Sequence, residues 1–206
     1  MARERATALL VDFDGVLRHW DPAVAAGVER DYGLPNGVLG EIAMSWGLLQ
    51  PVLTGKASHA EWMTSVAEAL TPSVGDPARA RAAVEEWQRY RGEVDQDVLA
   101  FIREVRAAGV RVGLGTNATD LLDADIAALG LADELDVVVN SSVIGVHKPA
   151  KEYFEAACEA LETPPARVLF TDDEDRAVRG ARAAGLSALR WGGSDDLRYL
   201  RAALAY

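Results

Sequence analysis

Asp12 and Asp14 stand one residue apart across Phe13 in VDFDGVL, directly after an apolar run. Further along come Thr116 and Asn117 in GLGTNA, Lys148 before Pro149 in GVHKP, and the adjacent pair Asp172 and Asp173 in LFTDD. These stretches offer four carboxylates, a hydroxyl, an amide and one ammonium, with no Cys or His among the candidate ligands. Carboxylates drawn together lose hydration and repel one another, at a cost of several kcal/mol per ion, so a cation is required beside them. An all-oxygen donor set selects a hard ion, and Mg²⁺ is expected: it takes one or two protein carboxylates, keeps waters and binds substrate phosphate. Carboxylate capacity then remains for covalent chemistry.

Those residues meet only if the elements around them bring them to one place. The segments 110–116, 135–141, 167–173 and 187–191 read as buried strands, because β-branched residues and Leu run nearly unbroken between Gly or polar boundaries. Amphipathic helices alternate with them. Val98, Phe101, Ile102 and Val105 follow the i, i+3, i+4, i+7 rule, as do Phe154, Ala157, Cys158 and Leu161. Gly109, Gly130 and Gly185 follow helical text where a left-handed cap is expected. With TALLVDFD as the first strand, the pattern predicts an α/β fold with a doubly wound parallel sheet. Ligands bind such sheets beyond the carboxyl ends of the strands, which is where the candidate residues fall.

Residues 18–92 interrupt the alternation with helical, Trp-bearing text and turn signals at GLPNG and LTGKAS, and no strand is expected there. The organisation predicted is an α/β core of 1–17 and 93–206 with an inserted helical cap of 18–92. His19, Trp20, Trp46 and Gln50 are candidates to line a cavity under that cap; otherwise the tryptophans are cap core and the other two are surface. Arg176 and Arg179 read as a solvated helix face.

At 206 residues the chain suits one core with a smaller insertion rather than two independent domains. Its net charge of -11 argues against a nucleic-acid or anionic-membrane surface, since phosphate-backbone affinity comes largely from Lys and Arg. No apolar run is long enough to span a bilayer, and the one before Asp12 is too short for a secretory signal. A single cysteine, Cys158, forbids an internal disulfide and fits a reducing compartment, so a cytoplasmic location is expected. Composition carries no signal of oligomeric state.

DFDGVL, GTN, the GVHKP lysine and FTDD resemble, in order and spacing, the four motifs of the haloacid dehalogenase (HAD) superfamily. The insertion is similar to that superfamily's helical C1 cap, and residues 46–70 resemble cap text of its epoxide-hydrolase-phosphatase-like branch. The resemblance implies a phosphatase in which Asp12 is the nucleophile that forms an aspartyl-phosphate. It implies that Asp14 acts as general acid and then general base. Thr116 and the Asn117 backbone would hold phosphoryl oxygens, and Lys148 would neutralise charge on both the nucleophile and the phosphoryl group. Mg²⁺ would sit between the Asp12 carboxylate, the Asp14 backbone carbonyl and Asp173, with Asp172 a weaker candidate. The implied substrate is a small phosphorylated metabolite. Asp14 also separates reactions, because the dehalogenases of the superfamily lack an aspartate at that second position. One departure is Ala177, four residues after Asp173, where many relatives carry Asn or Asp.

Plainer explanations exist for each motif. The aspartate pairs could be turn and helix-cap residues, Thr116 and Asn117 could cap a helix starting near Thr119, and Lys148 could be a solvated lysine. Their joint occurrence at successive strand ends is what capping leaves unexplained. GLGTNA also matches a dinucleotide fingerprint with Asp136 about twenty residues on, but it follows the second strand rather than the first. The alternatives to a phosphatase are a 2-haloacid dehalogenase and a catalytically silent binding module on the same fold.

Overall fold

Residues Ala8–Val11 (β1) are buried on every side, which is the environment a continuous apolar run demands. The computed structural model describes residues 5–204. After β1 come a two-residue strand, Arg18–His19 (β2), and five helices, Pro22–Tyr32 (α1), Val38–Ala43 (α2), Trp46–Leu53 (α3), His59–Val74 (α4) and Pro77–Trp87 (α5). Glu93–Val94 (β3) returns antiparallel to β2, and Gln96–Ala107 (α6), Arg111–Thr116 (β4) and Leu122–Ala128 (α7) follow. The chain then runs through Val137–Asn140 (β5), Ser141–Ile144 (α8), Lys151–Ala160 (α9), Val168–Asp172 (β6), Asp175–Ala183 (α10), Ser187–Arg190 (β7) and Leu197–Ala203 (α11).

The larger sheet has the order β5-β4-β1-β6-β7 and every pairing in it is parallel. The chain therefore winds outward from β1 to β4 and β5, then crosses back to place β6 and β7 on the other side. The topological switch lies at β1, and the crevice beyond its carboxyl end is where such a sheet takes ligands. Alternation along the strands divides the core. Leu9 and Val11 join Val112, Leu114 and Leu169 on one face with α6, α7 and α11, whereas Ala8 and Leu10 join Val139, Val168 and Phe170 on the other with α9 and α10.

Helices α1–α5 bury a cluster of their own around Leu39, Val52, Trp62, Val66 and Leu70. Their ends are chemically specified. Asp21 accepts from the backbone N–H of Ala23 ahead of Pro22, and Ser58 with Glu61 forms a reciprocal capping box at the start of α4.

Two local details differ from the sequence reading. The strand β2 was not expected, since two residues paired only with Glu93 and Val94 carry no alternation to detect. The helix after β4 begins at Leu122 rather than near Thr119, because the Thr119 hydroxyl accepts from the Leu121 N–H and holds a turn there.

Candidate active site

Asp12 follows β1 directly, and its backbone N–H still reaches across to the Thr171 carbonyl of β6 at 3.0 Å. Its carboxylate Oδ1 accepts from the Phe13 N–H at 2.7 Å and from Lys148 Nζ at 2.7 Å, so both donors engage the same oxygen. The backbone then turns sharply through Gly15, at φ +82°, and a Cβ there would run into the Asp173 carboxylate. Only glycine satisfies both the left-handed backbone and this close approach.

Lys148 reaches the same point from the loop after α8. Its ammonium is buried and lies 2.6 Å from Asp172 Oδ2 as well as 2.7 Å from Asp12. The Asn117 side chain holds this loop, accepting from the Lys148 N–H at 2.7 Å and donating to the Lys148 carbonyl at 3.1 Å. Sequence reasoning assigned Asn117 through its backbone; the structure gives the side chain a positioning contact with the lysine. Thr116 is buried at the end of β4.

Asp12, Asp172 and Asp173 each offer a carboxylate oxygen, and these atoms lie within 4.8 Å of one another. One ammonium faces three carboxylates. Burial, with the Asp172 charge beside it, pushes the Asp12 carboxyl up to about 8 against the pull of Lys148. Burial and Asp172 likewise raise Asp173. Burial alone would lower the Lys148 ammonium, but Asp12 and Asp172 outweigh it and hold it above its ordinary value. An unbalanced cluster of hard oxygens at this spacing fits a divalent cation such as Mg²⁺, and Asp172 belongs to the cluster as fully as Asp173 does. Ala177 is buried among apolar neighbours of α9 and α10 and adds no donor.

Asp14 lines the same cavity but stands outside that cluster. Its carboxylate accepts from Arg18 Nε at 2.7 Å, Arg18 Nη2 at 3.0 Å and the Trp20 indole N–H at 2.7 Å. Arg18 is buried and its Nη1 donates to Asp125 Oδ2 at 2.8 Å, while Arg91 grips both oxygens of Asp125 at 2.8 and 2.6 Å. The chain Asp14–Arg18–Asp125–Arg91 thus ties the loop after β1 to α7 and to the return from α5. Sequence reasoning missed Arg18, Arg91 and Asp125. A signal existed for one of them: Asp125 lies three residues after Leu122 and one before Ile126, on the buried face of α7, where a lone carboxylate demands a partner.

A cavity of about 680 Å³ opens over Asp12, Lys148 and the aspartate pair, roofed by side chains from α1, α3, α4 and α5. Trp62 is buried among the inserted helices, with its indole donating to the Ala43 carbonyl. Trp20 and Trp46 are not core: both line this cavity with large exposed faces, and His147 stands edge-on to Trp46 at 5.4 Å. His19 pairs with Asp95 at 2.9 Å, away from the cavity lining, and Gln50 does not line it either. Arg176 is exposed at the cavity's edge. The dinucleotide reading of GLGTNA fails on Asp136, whose carboxylate accepts from the Val112 N–H and pairs with Arg106. Cys158 is buried on its helix, as its apolar spacing required.

A sequence profile described as haloacid dehalogenase-like hydrolase matches residues 6–185. Phosphatase MT3486 of Mycobacterium tuberculosis (strain CDC 1551 / Oshkosh) is 31% identical over 191 residues, spanning 88% of this chain and 85% of that one. Among solved structures, the HAD family enzyme bt-2542 of Bacteroides thetaiotaomicron, as wild-type protein in complex with magnesium and inorganic phosphate, aligns with TM-score 0.71 and 20% identity over 90% of this chain and 93% of that one. The L-2-haloacid dehalogenase of Xanthobacter autotrophicus aligns with TM-score 0.65 and 25% identity over 90% of this chain and 77% of that one.

Proposed function

The chain belongs to the haloacid dehalogenase-like hydrolase family, and from that premise we propose that it is a Mg²⁺-dependent phosphatase acting on a small phosphomonoester through Asp12. An oxygen of the Asp12 carboxylate attacks phosphorus, the bond from phosphorus to the substrate alkoxide breaks, and Asp14 supplies the proton the alkoxide needs. Water then attacks the aspartyl-phosphate, its proton passes to Asp14, and inorganic phosphate leaves with Asp12 restored. Lys148 offsets negative charge on Asp12 and on the phosphoryl group, while the Thr116 hydroxyl and the Asn117 backbone N–H hold phosphoryl oxygens. Asp12, the Asp14 carbonyl and Asp173 would hold Mg²⁺, with Asp172 orienting Lys148 beside them. When bound, the ion offsets the carboxylates and polarises the phosphoryl oxygens.

One observation carries this reading: Asp12 accepts Lys148 Nζ at 2.7 Å while two further carboxylates crowd the same pocket. The 31% identity to Phosphatase MT3486 supports it. A dehalogenase reading has support from the fold likeness to the Xanthobacter autotrophicus enzyme, but that chemistry has no leaving alkoxide for Asp14 to protonate. The test is phosphate release from p-nitrophenyl phosphate with Mg²⁺ and with chelator. Activity is expected with the metal alone and should vanish in Asp12→Asn. Activity surviving either change, or halide release from a 2-haloacid in chelator, refutes the proposal.

A further inference from the structure

Resting on that phosphatase reading, we propose that the alcohol portion of the substrate is uncharged and predominantly apolar, carrying an aromatic ring bound under the cap against Trp20, Met44 and Trp46. The phosphate end of the cavity is accounted for by Asp12, Lys148 and the aspartates. The remaining space is large, since about 680 Å³ falls within the range of pockets that enclose a whole organic ligand.

The roof over that space is apolar where it is open. Trp20, Met44 and Trp46 expose 44%, 57% and 56% of their surface, and all three face this cavity. A soluble domain does not leave three such side chains around one void without something to cover them. Both indoles are held in place: Trp20 stands edge-on to Tyr90 at 5.8 Å with the Arg18 guanidinium over its ring at 4.6 Å, and Trp46 stands edge-on to His147 at 5.4 Å. Fixed, exposed indole faces suit a planar apolar guest that stacks or packs edge-to-face on them.

Several polar groups of the same walls are already engaged. The charges of Arg18 and Arg91 are matched by Asp14 and Asp125. His59 contacts Gln88 and Thr119, and burial lowers its imidazole's affinity for a proton, so it supplies no cation. The Trp62 indole donates to the Ala43 carbonyl. Arg176, on the first turn of α10 three residues after Asp173, is exposed at the cavity's edge and is not on the inserted helices. Among the described residues, a second phosphate under the inserted helices would meet no uncommitted cation on those helices, and sugar hydroxyls would give up water for few polar partners.

The test compares phenethyl phosphate, glycerol phosphate and a hexose bisphosphate, all alkyl esters of similar intrinsic reactivity, with p-nitrophenyl phosphate as the reference for catalysis. Phenethyl phosphate is expected to show kcat/KM at least about tenfold above the other two, the scale of discrimination an apolar pocket provides. Trp46→Ala removes an exposed side chain, leaves folding intact, and should shrink that gap several-fold through KM. Equal or better turnover of glycerol phosphate or the bisphosphate, an unchanged gap in Trp46→Ala, or hydrolysis of the reference alone overturns the inference while leaving the phosphatase reading standing. Failure to hydrolyse any of the four esters takes down that reading and this inference together.

Discussion

Replacing Asp125 by Ala tests the buried charge chain directly. The Asp125 side chain is 8% exposed and accepts three charge-assisted bonds, one from Arg18 and two from Arg91. Its loss leaves Arg18, itself 5% exposed, with Asp14 as its only remaining carboxylate partner among the described residues. Removing one partner of a buried ion pair costs about 3–5 kcal/mol, because the other charge stays desolvated. Arg91 is a quarter exposed and can rehydrate, so its share is discounted to about 1 kcal/mol or less and the lower part of that range is expected. At roughly 2–4 °C per kcal/mol for a chain of this size, Tm should fall by about 10 °C. Thermal unfolding followed by circular dichroism at pH 7 in chelator reads this. Glu155→Ala, which breaks the exposed Lys151–Glu155 pair, serves as the control and should leave Tm nearly unchanged. A drop of less than about 3 °C in Asp125→Ala would mean that Arg18 finds water or another acceptor, and the reasoning that makes this chain a structural tie would be wrong.

Asp173→Asn relieves repulsion in the aspartate cluster, so in chelator its Tm should rise rather than fall, and a Tm increase expected on adding Mg²⁺ to the parent protein should be absent from the variant. A Tm below that of the parent in chelator counts against the crowding argument. Gly15→Ala should abolish phosphate release and lower Tm, because its Cβ collides with the Asp173 carboxylate and φ +82° is strained for any side chain bearing one; retained activity would show that the loop can move aside. Burial pushes the Cys158 thiol from 9.0 up to about 11, so the folded protein holds its proton between those values while the unfolded chain releases it. That contribution to stability is complete below pH 9 and is lost as pH rises through 11. Alkylation of Cys158 at pH 9 should therefore be slow in native protein and fast in urea, and equal rates would place the thiol at the surface.

Much of this protein is written locally. The runs that become β1, β4 and β6 each hold three or four consecutive apolar residues or glycines, and such runs read as buried strands once the helices between them show a single apolar face. From strands and helices in strict alternation the parallel winding follows, and with it the convergence of Asp12, Thr116, Lys148, Asp172 and Asp173 on one rim. Those residues were legible because each sits next to an element whose pattern is complete within a few positions. Other features were not. Arg18 meets Asp125 across 107 positions of chain, and no local periodicity encodes which arginine reaches which aspartate. That the fold sets Asp172 2.6 Å from Lys148 Nζ was not legible either, since this distance depends on how the loop after α8 is held by Asn117. Trp20 and Trp46 carry the same composition whether they fill a core or face a void. Sequence alone determined the strand ends and the chemistry gathered there, because burial and hydrogen bonding constrain each segment independently. Tertiary structure decided which charges neutralise one another and which aromatic faces stay open, because those outcomes depend on how separate elements pack together.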